Sequence, residues 1–405
     1  MTTQARATGR WAAQAGGLPR TFWYLWTGTL VNRLGSAVGP FLALYLTGER
    51  GFSTAEAGFV LTAFGLGQAV GQPVGGVLAD RVGRRTTLVL GLTSSATLLV
   101  AVGAAGSLPV LLGTVLLYGA CLDLVRPAVQ AAVADVVPER DRVRAFALNF
   151  WAINLGFSVA VPLGGLLAER GYWWLFGLDA ATSLAFAGVV LLRVPETRPQ
   201  RAPGSDPGSV REVLRDRRLL ALVACVVVQA AVYMQAFTTL PLVVAADGLG
   251  AGGYGLVLGL NGVLIIALQP LLLGVLTGRS RGRLLLLAGV LQGVGLSLHG
   301  LADRLPGHMA AVLVWTVGEV LQAGLLSSLV AGLAPPHLRG RYLGVFGMSF
   351  GLAALTGPLA GTQVLEHLGE ATLWGACAVG GTAAGIGLLR VSDAVQAAAV
   401  ADAPG

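Results

Sequence analysis

Long apolar stretches alternate with short polar ones along the whole chain. Most are roughly 20 to 26 residues long, the length that an α-helix needs to cross a hydrocarbon layer of about 30 Å. None shows the alternating pattern of a membrane β-strand. Twelve spans follow from this pattern: 22–47, 56–79, 86–106, 109–134, 143–168, 173–193, 219–245, 253–277, 283–301, 308–334, 341–366 and 371–391. The pattern therefore predicts an all-α membrane protein with twelve transmembrane helices.

The composition agrees with a membrane protein and limits the kinds of partner that are expected. The chain has 405 residues, of which 55% are hydrophobic and 12% charged, and its mean hydropathy is +0.73. A soluble chain of this size needs more charge to cover its surface. All 27 basic residues are arginine, and the net charge is +7. Because these arginines form short clusters between spans rather than a basic face, no nucleic-acid partner is expected.

The arginines also predict the orientation of the chain. With the N-terminus in the cytoplasm, 22 of the 27 lie in cytoplasmic segments, three lie in outer loops, and Arg33 and Arg126 lie within spans. An excess of positive charge on one side is typical of the cytoplasmic side. The absence of lysine is typical of a GC-rich bacterial genome. We therefore expect a multi-pass protein of a bacterial inner (cytoplasmic) membrane, with both termini in the cytoplasm.

Breaks in the apolar pattern divide the chain into five parts. They are an uncleaved cytoplasmic tail (1–20), an N-terminal six-helix bundle (21–193), a cytoplasmic linker (194–218), a C-terminal six-helix bundle (219–392) and a cytoplasmic C-terminal tail (393–405). Prolines and glycines interrupt any regular structure in the linker. Its last part, 209–218, fits two interpretations equally: a short amphipathic helix on the inner leaflet or a solvated charged turn.

The two six-span parts repeat each other. Residues 76–81 (Gly-Val-Leu-Ala-Asp-Arg) recur at 274–279 (Gly-Val-Leu-Thr-Gly-Arg), an offset of 198 positions. Pro162-Leu-Gly-Gly recurs as Pro358-Leu-Ala-Gly, an offset of 196. Many transporters are built from such repeats and hold their substrate at the repeat interface. We therefore predict two pseudo-symmetric bundles that enclose a substrate path.

The loop between spans 2 and 3 carries the most specific motif of the chain. It reads Gly-x-x-x-Asp-Arg-x-Gly-Arg-Arg and consists of Gly76, Asp80, Arg81, Gly83, Arg84 and Arg85. At every defining position, and in the right loop of a six-plus-six chain, it resembles the signature loop of the major facilitator superfamily. The resemblance covers about residues 20–392. It implies two six-helix bundles that rock around a central cavity and expose it to each side in turn.

The residues of this loop suggest a latch between conformational states. We expect Asp80 to accept hydrogen bonds from a neighbouring helix N-terminus and Arg81 to pair with a carboxylate across the loop. For Arg84 and Arg85 we favour contacts with lipid phosphates. The alternative is that all three arginines only anchor the loop to lipid. Gly278 replaces the aspartate in the second copy, which predicts a weaker latch there.

Span 5 carries a glycine-rich segment that favours efflux. It resembles the span-5 motif of the drug:proton antiporters of the same superfamily through four residues, Gly156, Pro162, Gly164 and Gly165. It departs from that motif at Val161, where the family usually has glycine. A second departure lies in span 4, where the usual arginine would fall at Leu116. The resemblance implies proton-driven drug export, and the alternative is simple packing around a proline kink.

Polar side chains inside the spans require an explanation, because inserting a charge at the bilayer centre costs roughly 2.5–3.5 kcal/mol. The candidates lie in spans 1, 4, 7 and 10, which line the cavity in the superfamily: Asn32, Arg33, Asp123, Arg126, Gln229, Tyr233, Gln235, Glu319 and Gln322. Asp123 and Glu319 are repeat mates, 196 positions apart, so we expect them to face each other across the cavity. Asp135, at the end of span 4, and Asp179, at the start of span 6, lie at interfaces, where we expect them to cap helices and to be solvated.

Glu319 is the strongest candidate for coupling. It has no basic neighbour in its own span, and a buried carboxyl without a cation can bind a proton near neutral pH. We hypothesise that Glu319 is the main proton-coupling or cation-binding site. The alternative is a protonated residue that only forms hydrogen bonds within the bundle. For Asp123 the alternative is a structural ion pair with Arg126 or Arg33 that never titrates.

Three functions remain, and none is enzymatic. The sequence has no lysine for a nucleotide-binding loop, and its histidines and cysteines form no catalytic or metal-binding pattern, so we expect no cofactor and no metal. The first hypothesis is a proton-coupled exporter of amphipathic small molecules, acting as a monomer in the lipid bilayer. The second is a proton-coupled uptake symporter for a small polar metabolite. The third is a non-transporting sensor or scaffold, which would need neither the loop motif nor the buried charges.

Overall fold

The computed structural model describes residues 17–197, 210–276, 279–322, 325–334 and 339–401, and these residues contain helices but no strand. The N-terminal half contains α1 (Arg20–Gly35), α2 (Val38–Leu44), α3 (Thr54–Val82), α4 (Arg84–Ala104), α5 (Leu108–Val136), α6 (Glu139–Arg170) and α7 (Tyr172–Arg193). The linker contains α8 (Val210–Val213). The C-terminal half contains α9 (Arg217–Thr238), α10 (Leu240–Ala246), α11 (Gly250–Leu276), α12 (Arg281–Ser297), α13 (Leu305–Gln322), α14 (Leu325–Leu333), α15 (Arg339–Leu368) and α16 (Glu370–Ala401).

These helices make up twelve membrane spans. Nine segments of the described residues have the length and hydropathy of a span. The other three are interrupted or more polar. The first span breaks between α1 and α2, the second (α3) carries Gln68 and Gln72, and two residues outside the described ranges separate α13 from α14. The prediction of an all-α protein with twelve spans in two related bundles is confirmed.

A buried aspartate stabilises the break in the first span. Asp179 of α7 accepts a hydrogen bond from the backbone N–H of Val38, the first residue of α2. A negative charge at a helix N-terminus is favourable because the N–H groups there have no partner within the helix. Asp179 is therefore a capping residue, as expected. It is also buried in the bundle, which overturns the expectation that solvent surrounds it.

Two helix pairs join the halves, α3 with α15 and α6 with α11. Glycines bring their backbones into contact. A Cβ atom added at Gly65 would collide with the carbonyl group of Ala354, and one added at Gly165 would lie 2.7 Å from the carbonyl oxygen of Ala251. Small residues allow such close packing between membrane helices. The glycines at these positions therefore determine how closely the two bundles pack.

The apolar core shows where the halves meet. We call the end with the first turn of α1 and the last turn of α7 the linker face, and the opposite end the far face. Toward the far face, one cluster contains residues of both halves, including Phe41 and Tyr254, whose ring centroids are 5.3 Å apart. Toward the linker face, the core divides into one cluster for each half. The molecule is thus closed at the far face and open at the linker face.

Two carboxylates cap helices across the closed far face. Glu169, at the end of α6, accepts a hydrogen bond of 3.0 Å from the backbone N–H of Gly252 in the first turn of α11. Glu366, at the end of α15, accepts one from the backbone N–H of Ala55 in the first turn of α3. The two glutamates lie 197 positions apart, as do the two donors. The internal repeat therefore supplies the same interbundle contact twice.

The linker and the C-terminus differ from their expected forms. Among the described residues of the linker, Val210–Val213 form a short helix, and Val213 is buried in the core of the C-terminal half. Asp216 then caps α9 through the N–H of Arg218 (2.8 Å) and accepts a hydrogen bond from the Tyr342 hydroxyl (2.9 Å). The end of the linker is thus bonded to the C-terminal half. Helix α16 continues to Ala401 through most of the expected tail.

Parts of the expected organisation lie outside the described residues. They are most of the N-terminal tail (1–16), the centre of the linker (198–209), Gly278 and the last four residues (402–405).

We expect the two capping glutamates to hold the far face closed. In the double variant Glu169→Gln and Glu366→Gln, the loss of two charge–helix contacts shifts the equilibrium toward the state that is closed at the linker face, by roughly 3- to 30-fold. The measurement is the distance between spin labels at Val77 and Gly344, two exposed positions near the linker face on α3 and α15. Cys121, Cys225 and Cys377 are replaced first.

Glu56→Gln is the matched control. Its carboxylate caps the same helix, α3, but through the N–H of Ser53 within one bundle. The control is expected to leave the distance distribution unchanged. Equal shifts in the control and in the double variant would show that the interbundle contacts do not set the equilibrium.

Candidate functional site

Three helices of the C-terminal half converge on Glu319. It lies about 21 Å along α13 from the first residue of that helix, and it is half-buried. Tyr233 of α9 donates its hydroxyl hydrogen to Oε1 (2.9 Å), and the side-chain amide of Asn261 in α11 donates to Oε2 (2.8 Å). The Asn261 amide also lies 3.0 Å from the hydroxyl oxygen of Thr316. The carboxyl group is thus held at both oxygens.

No positive charge balances this carboxyl. Among the described residues Glu319 forms no ion pair, and its two hydrogen-bond donors are uncharged. A lone negative charge inside a membrane protein is costly. A proton on the carboxyl, or a cation beside it, removes that cost. The site is therefore suited to bind one or the other.

A cavity of about 190 Å³ opens beside Glu319. Two glutamines of its wall, Gln229 and Gln322, share a hydrogen bond of 2.7 Å, and Gln229 also bonds to the buried Gln292 at 3.3 Å. The remaining lining residues are Tyr233 and the apolar Val226, Ala230, Met234, Leu326 and Phe350. An apolar wall with one ionisable group and a few amides suits an amphipathic ligand.

Asp123, the repeat mate of Glu319, has positive neighbours instead. The Nε atom of Arg126 lies 3.9 Å from its Oδ1 atom, and the Gln72 amide lies 3.5 Å from Oδ2. The charge of Arg33 also acts on it. The geometry thus favours the structural ion pair for Asp123. Among the described residues, no hydrogen bond or ion pair joins this cluster to Glu319, and Asp123 does not line the cavity.

Two expected cavity residues join helices instead. The Asn32 amide of α1 donates to the hydroxyl oxygen of Ser183 in α7 (2.9 Å). The Gln235 amide of α9 donates to the Gly357 carbonyl in α15 (3.0 Å), while its oxygen accepts from two threonine hydroxyls. Both side chains are buried. They connect spans and do not line the cavity beside Glu319.

Asn261 and Gln292 belong to the site but were not among the sequence candidates. They lie in α11 and α12, the eighth and ninth spans, whereas the sequence candidates lie in spans 1, 4, 7 and 10. Each is a polar side chain near the middle of a largely apolar stretch, which is the pattern that could have identified it.

Arg84 holds the motif loop between α3 and α4 together. Its guanidinium group bonds to the carboxylates of Asp80 (3.0 Å) and Asp135 (2.9 Å) and to the carbonyl oxygen of Ala79 (2.7 Å). Only 6% of its side chain is exposed. A buried arginine needs such partners because its charge is otherwise uncompensated. The expected lipid contact of Arg84 is therefore wrong.

The other motif residues divide between structure and surface. Gly83 has φ +108°, a conformation that favours glycine. The Glu196 carboxylate also occupies the place where a Cβ atom of residue 83 would lie. Arg85 donates to the Leu191 carbonyl. Arg81 is exposed and has no partner among the described residues, so its expected pairing does not occur in this conformation. Gly76 faces open space.

Comparison with known proteins decides the family. Residues 25–358 match the Major Facilitator Superfamily, and a second match covers residues 244–401. The chain belongs to the Major Facilitator Superfamily. It is therefore a multi-pass secondary transporter for small molecules and not an enzyme.

Relatives and solved structures agree with this assignment. The transporter is 27% identical to the uncharacterised transporter YqjV of Bacillus subtilis (86% of this chain, 87% of the relative) and 24% identical to a Na(+), Li(+), K(+)/H(+) antiporter of Planococcus maritimus (80% and 84%). It is 32% identical to the quinolone resistance protein NorA of Staphylococcus aureus over 39% of this chain and 41% of NorA. The fold resembles a POT family transporter in complex with 5-aminolevulinic acid (TM-score 0.79, 15% identity, 94% and 98% covered).

The span-5 motif of the transporter packs helix α6 on two sides. Gly156 and Gly164 face α1 and α2 of the same half. Gly165 and Pro162 face α11 of the other half, where Gly259 leaves room for the proline ring. These contacts favour the packing interpretation of the motif.

We expect the replacement of Arg84 by alanine to lower the stability of the protein by about 1–3 kcal/mol, since it removes three bonds of a buried charged group. Arg81→Ala, in the same loop but exposed, is the control and is expected to change stability by less than about 0.5 kcal/mol. Thermal unfolding of the detergent-purified variants measures both. Equal stability of the two variants would contradict the role assigned to Arg84.

Proposed function

We propose that this transporter exports amphipathic small molecules in exchange for protons and that Glu319 is its coupling site. The proposal is carried by one observation: a half-buried carboxyl, bonded only to uncharged donors, beside a largely apolar cavity. Such a carboxyl can hold a proton or the positive group of a substrate, but it cannot favourably hold both. Competition between the two is sufficient to couple their movements.

The exchange follows from the charge of the site in each state. At the linker face, a substrate with a positive or polar group enters the cavity and displaces the proton of Glu319, which leaves through the same opening. After the bundles rock, a proton from the other side binds the carboxyl and releases the substrate there. Tyr233 and Asn261 keep the carboxyl in place throughout, since each donates to a different oxygen.

Two observations support export as the direction of transport. The excess of arginine at the linker face favours a cytoplasmic position for that face, so the cavity opens to the cytoplasm. The similarity to NorA, a quinolone resistance protein, is consistent with export of drug-like compounds. The apolar wall of the cavity agrees with such substrates better than with a small polar metabolite, the substrate of an uptake symporter.

A second candidate, exchange of monovalent cations for protons, is favoured by the similarity to the Planococcus maritimus antiporter along most of the chain. A single carboxyl flanked by a tyrosine hydroxyl and amide groups also offers oxygen ligands to a cation. The two candidates share Glu319 and differ in the occupant of the cavity. In proteoliposomes with an acidic interior, uptake of Na⁺, Li⁺ or K⁺ without uptake of organic compounds would favour this second candidate.

We expect Glu319→Gln to abolish proton-coupled transport. Glutamine still accepts the hydrogen bond from Tyr233, but it cannot exchange a proton. In proteoliposomes with an acidic interior, uptake of ethidium or a fluoroquinolone should fall at least about ten-fold, and its dependence on pH should disappear. Uptake driven by an acidic interior indicates antiport, whereas uptake driven by an acidic exterior indicates symport.

Asp123→Asn is the matched control because Asp123 is the repeat mate of Glu319 and already has Arg126 as a partner. It should retain the pH dependence of the wild type. Size-exclusion chromatography checks that both variants are folded. If Glu319→Gln keeps wild-type pH dependence, or if only Asp123→Asn loses it, the coupling site is not Glu319.

A further inference from the structure

Two buried histidines touch at the far face, apart from the cavity. His299 follows α12, and His308 lies in the first turn of α13. Their Nδ1 atoms are 2.9 Å apart, and their rings stack with centroids 5.2 Å apart. We call these two residues the imidazole pair. The proposed exchange at Glu319 makes no use of them.

The pair is the centre of a hydrogen-bond chain. At one end, the Asp247 carboxylate, which follows α10, lies 3.0 Å from Nε2 of His308, and its side chain is 23% exposed at the far face. At the other end, the indole N–H of Trp315 donates to Nε2 of His299 at 3.3 Å. The hydrogen-bond chain thus leads from the partly exposed carboxylate at the far face to an indole ring in the core.

The donors of this chain all point in one direction. An indole N–H can only donate, so Nε2 of His299 carries no hydrogen. A neutral imidazole has one N–H, which must then be at Nδ1 of His299, and it donates to Nδ1 of His308. The hydrogen of His308 is therefore at Nε2, where it donates to Asp247. Every ring nitrogen has a partner, and the pair is neutral.

One added proton cannot be accommodated without a change at Trp315. The pair then carries three N–H groups: one between the two Nδ1 atoms and one at each Nε2. The N–H of His308 still points at the Asp247 carboxylate, which stabilises the positive charge. The N–H of His299, however, points at the indole N–H of Trp315, and two donors repel. Proton uptake and the Trp315 hydrogen bond therefore exclude each other.

Trp315 connects the pair to the coupling carboxyl. Its ring packs edge-to-face against Tyr233, with centroids 6.0 Å apart, and the Tyr233 hydroxyl donates to Glu319. His308 and Glu319 are about 16 Å apart along the same helix. A shift of the indole ring thus reaches the residue that holds the carboxyl. No proton needs to pass the indole for the two sites to interact.

Few other charged groups face the pair. From α16, Trp374 packs against His299 with ring centroids 5.9 Å apart, and its indole N–H donates to Glu370 at the start of that helix. The loop between His299 and His308 carries Asp303 and Arg304, which form an ion pair with both side chains exposed to solvent. Among the described residues, Asp247 alone of the carboxylates bonds to the pair directly.

We propose that the imidazole pair, together with Asp247, is a second proton-binding site of this transporter, open to the far face, and that its proton uptake frees Trp315 from His299. The link to Glu319 rests on the proposed proton-coupled function. The site lies at the closed end of the molecule while the cavity opens at the other end. The transporter thus binds protons from one side of the membrane while its substrate enters from the other.

Two variants are expected to shift the protonation of the pair in opposite directions. Asp247→Asn removes the carboxylate charge, so half-protonation should move to lower pH by about one unit or more. Trp315→Phe removes the donor that opposes the extra N–H, so half-protonation should move to higher pH by roughly half to one unit. The measurement is ¹⁵N NMR of the histidine-labelled full-length protein in nanodiscs, which is practical because the sequence has four histidines.

Trp374→Phe is the matched control. It alters a ring that packs on the same imidazole, but its indole N–H donates to Glu370 and not to the pair. The control should titrate like the wild type. Single replacements of His299 and His308 by asparagine assign the resonances. Where Trp315→Phe is unstable, the Asp247→Asn shift and the wild-type titration suffice.

Three results overturn the proposal: no titration of the pair between about pH 5 and pH 8.5, shifts of the two variants in the same direction, or an equal shift in the control. The link to transport is tested by the far-face pH dependence of ethidium exchange, which Asp247→Asn should move in parallel with the NMR titration. If Glu319→Gln still exchanges protons for ethidium, the proposed function fails, while the titration of the pair is decided independently by NMR.

Discussion

A charge or hydrogen-bonding group in the hydrocarbon layer must find its partner within the protein, because no water is there to replace it. The two halves of this transporter meet that demand differently. In the N-terminal half, Asp123 is accompanied by Arg126 and Arg33. In the C-terminal half, the repeat position of Arg126 holds Gln322, and the described partners of Glu319 are uncharged donors alone. One scaffold therefore contains a carboxylate beside positive charges and a carboxyl that has only uncharged hydrogen-bond donors among the described residues.

The closed far face meets the same demand by another route. The first turn of a helix leaves N–H groups without partners. At this face the carboxylates of the opposite bundle accept hydrogen bonds from these groups. The contact is electrostatic and lies near water, so it is weaker than a contact that is buried in the core. The core beneath it is shared by both halves. Polar contacts at the rim and apolar contacts below thus close one face, whereas at the linker face the described residues form a separate apolar cluster in each half.

Sequence reasoning predicted the fold because hydropathy and the internal repeat depend on long stretches that single residues do not alter. It identified Glu319, Tyr233, Gln229 and Gln322, since a polar residue in an apolar span is conspicuous on its own. It missed Asn261 because the family resemblance placed the cavity-lining residues in spans 1, 4, 7 and 10, whereas Asn261 lies in span 8. It misassigned Arg84, whose burial depends on Asp135, 51 positions away in α5. Contacts of this kind are set by packing and cannot be read from spacing along the chain.

The glycines at Gly65, Gly165 and Gly259 also have a consequence for how such a transporter can vary. Because backbone touches backbone or a proline ring there, one extra methyl group acts as a wedge between the bundles at the closed face. None of the three glycines lines the cavity beside Glu319, so such a substitution is expected to act first on the contact between the bundles and thus on the time that the protein spends in each state. Turnover could therefore be altered at these positions while substrate selectivity stays the same, so that rate and recognition are separately adjustable.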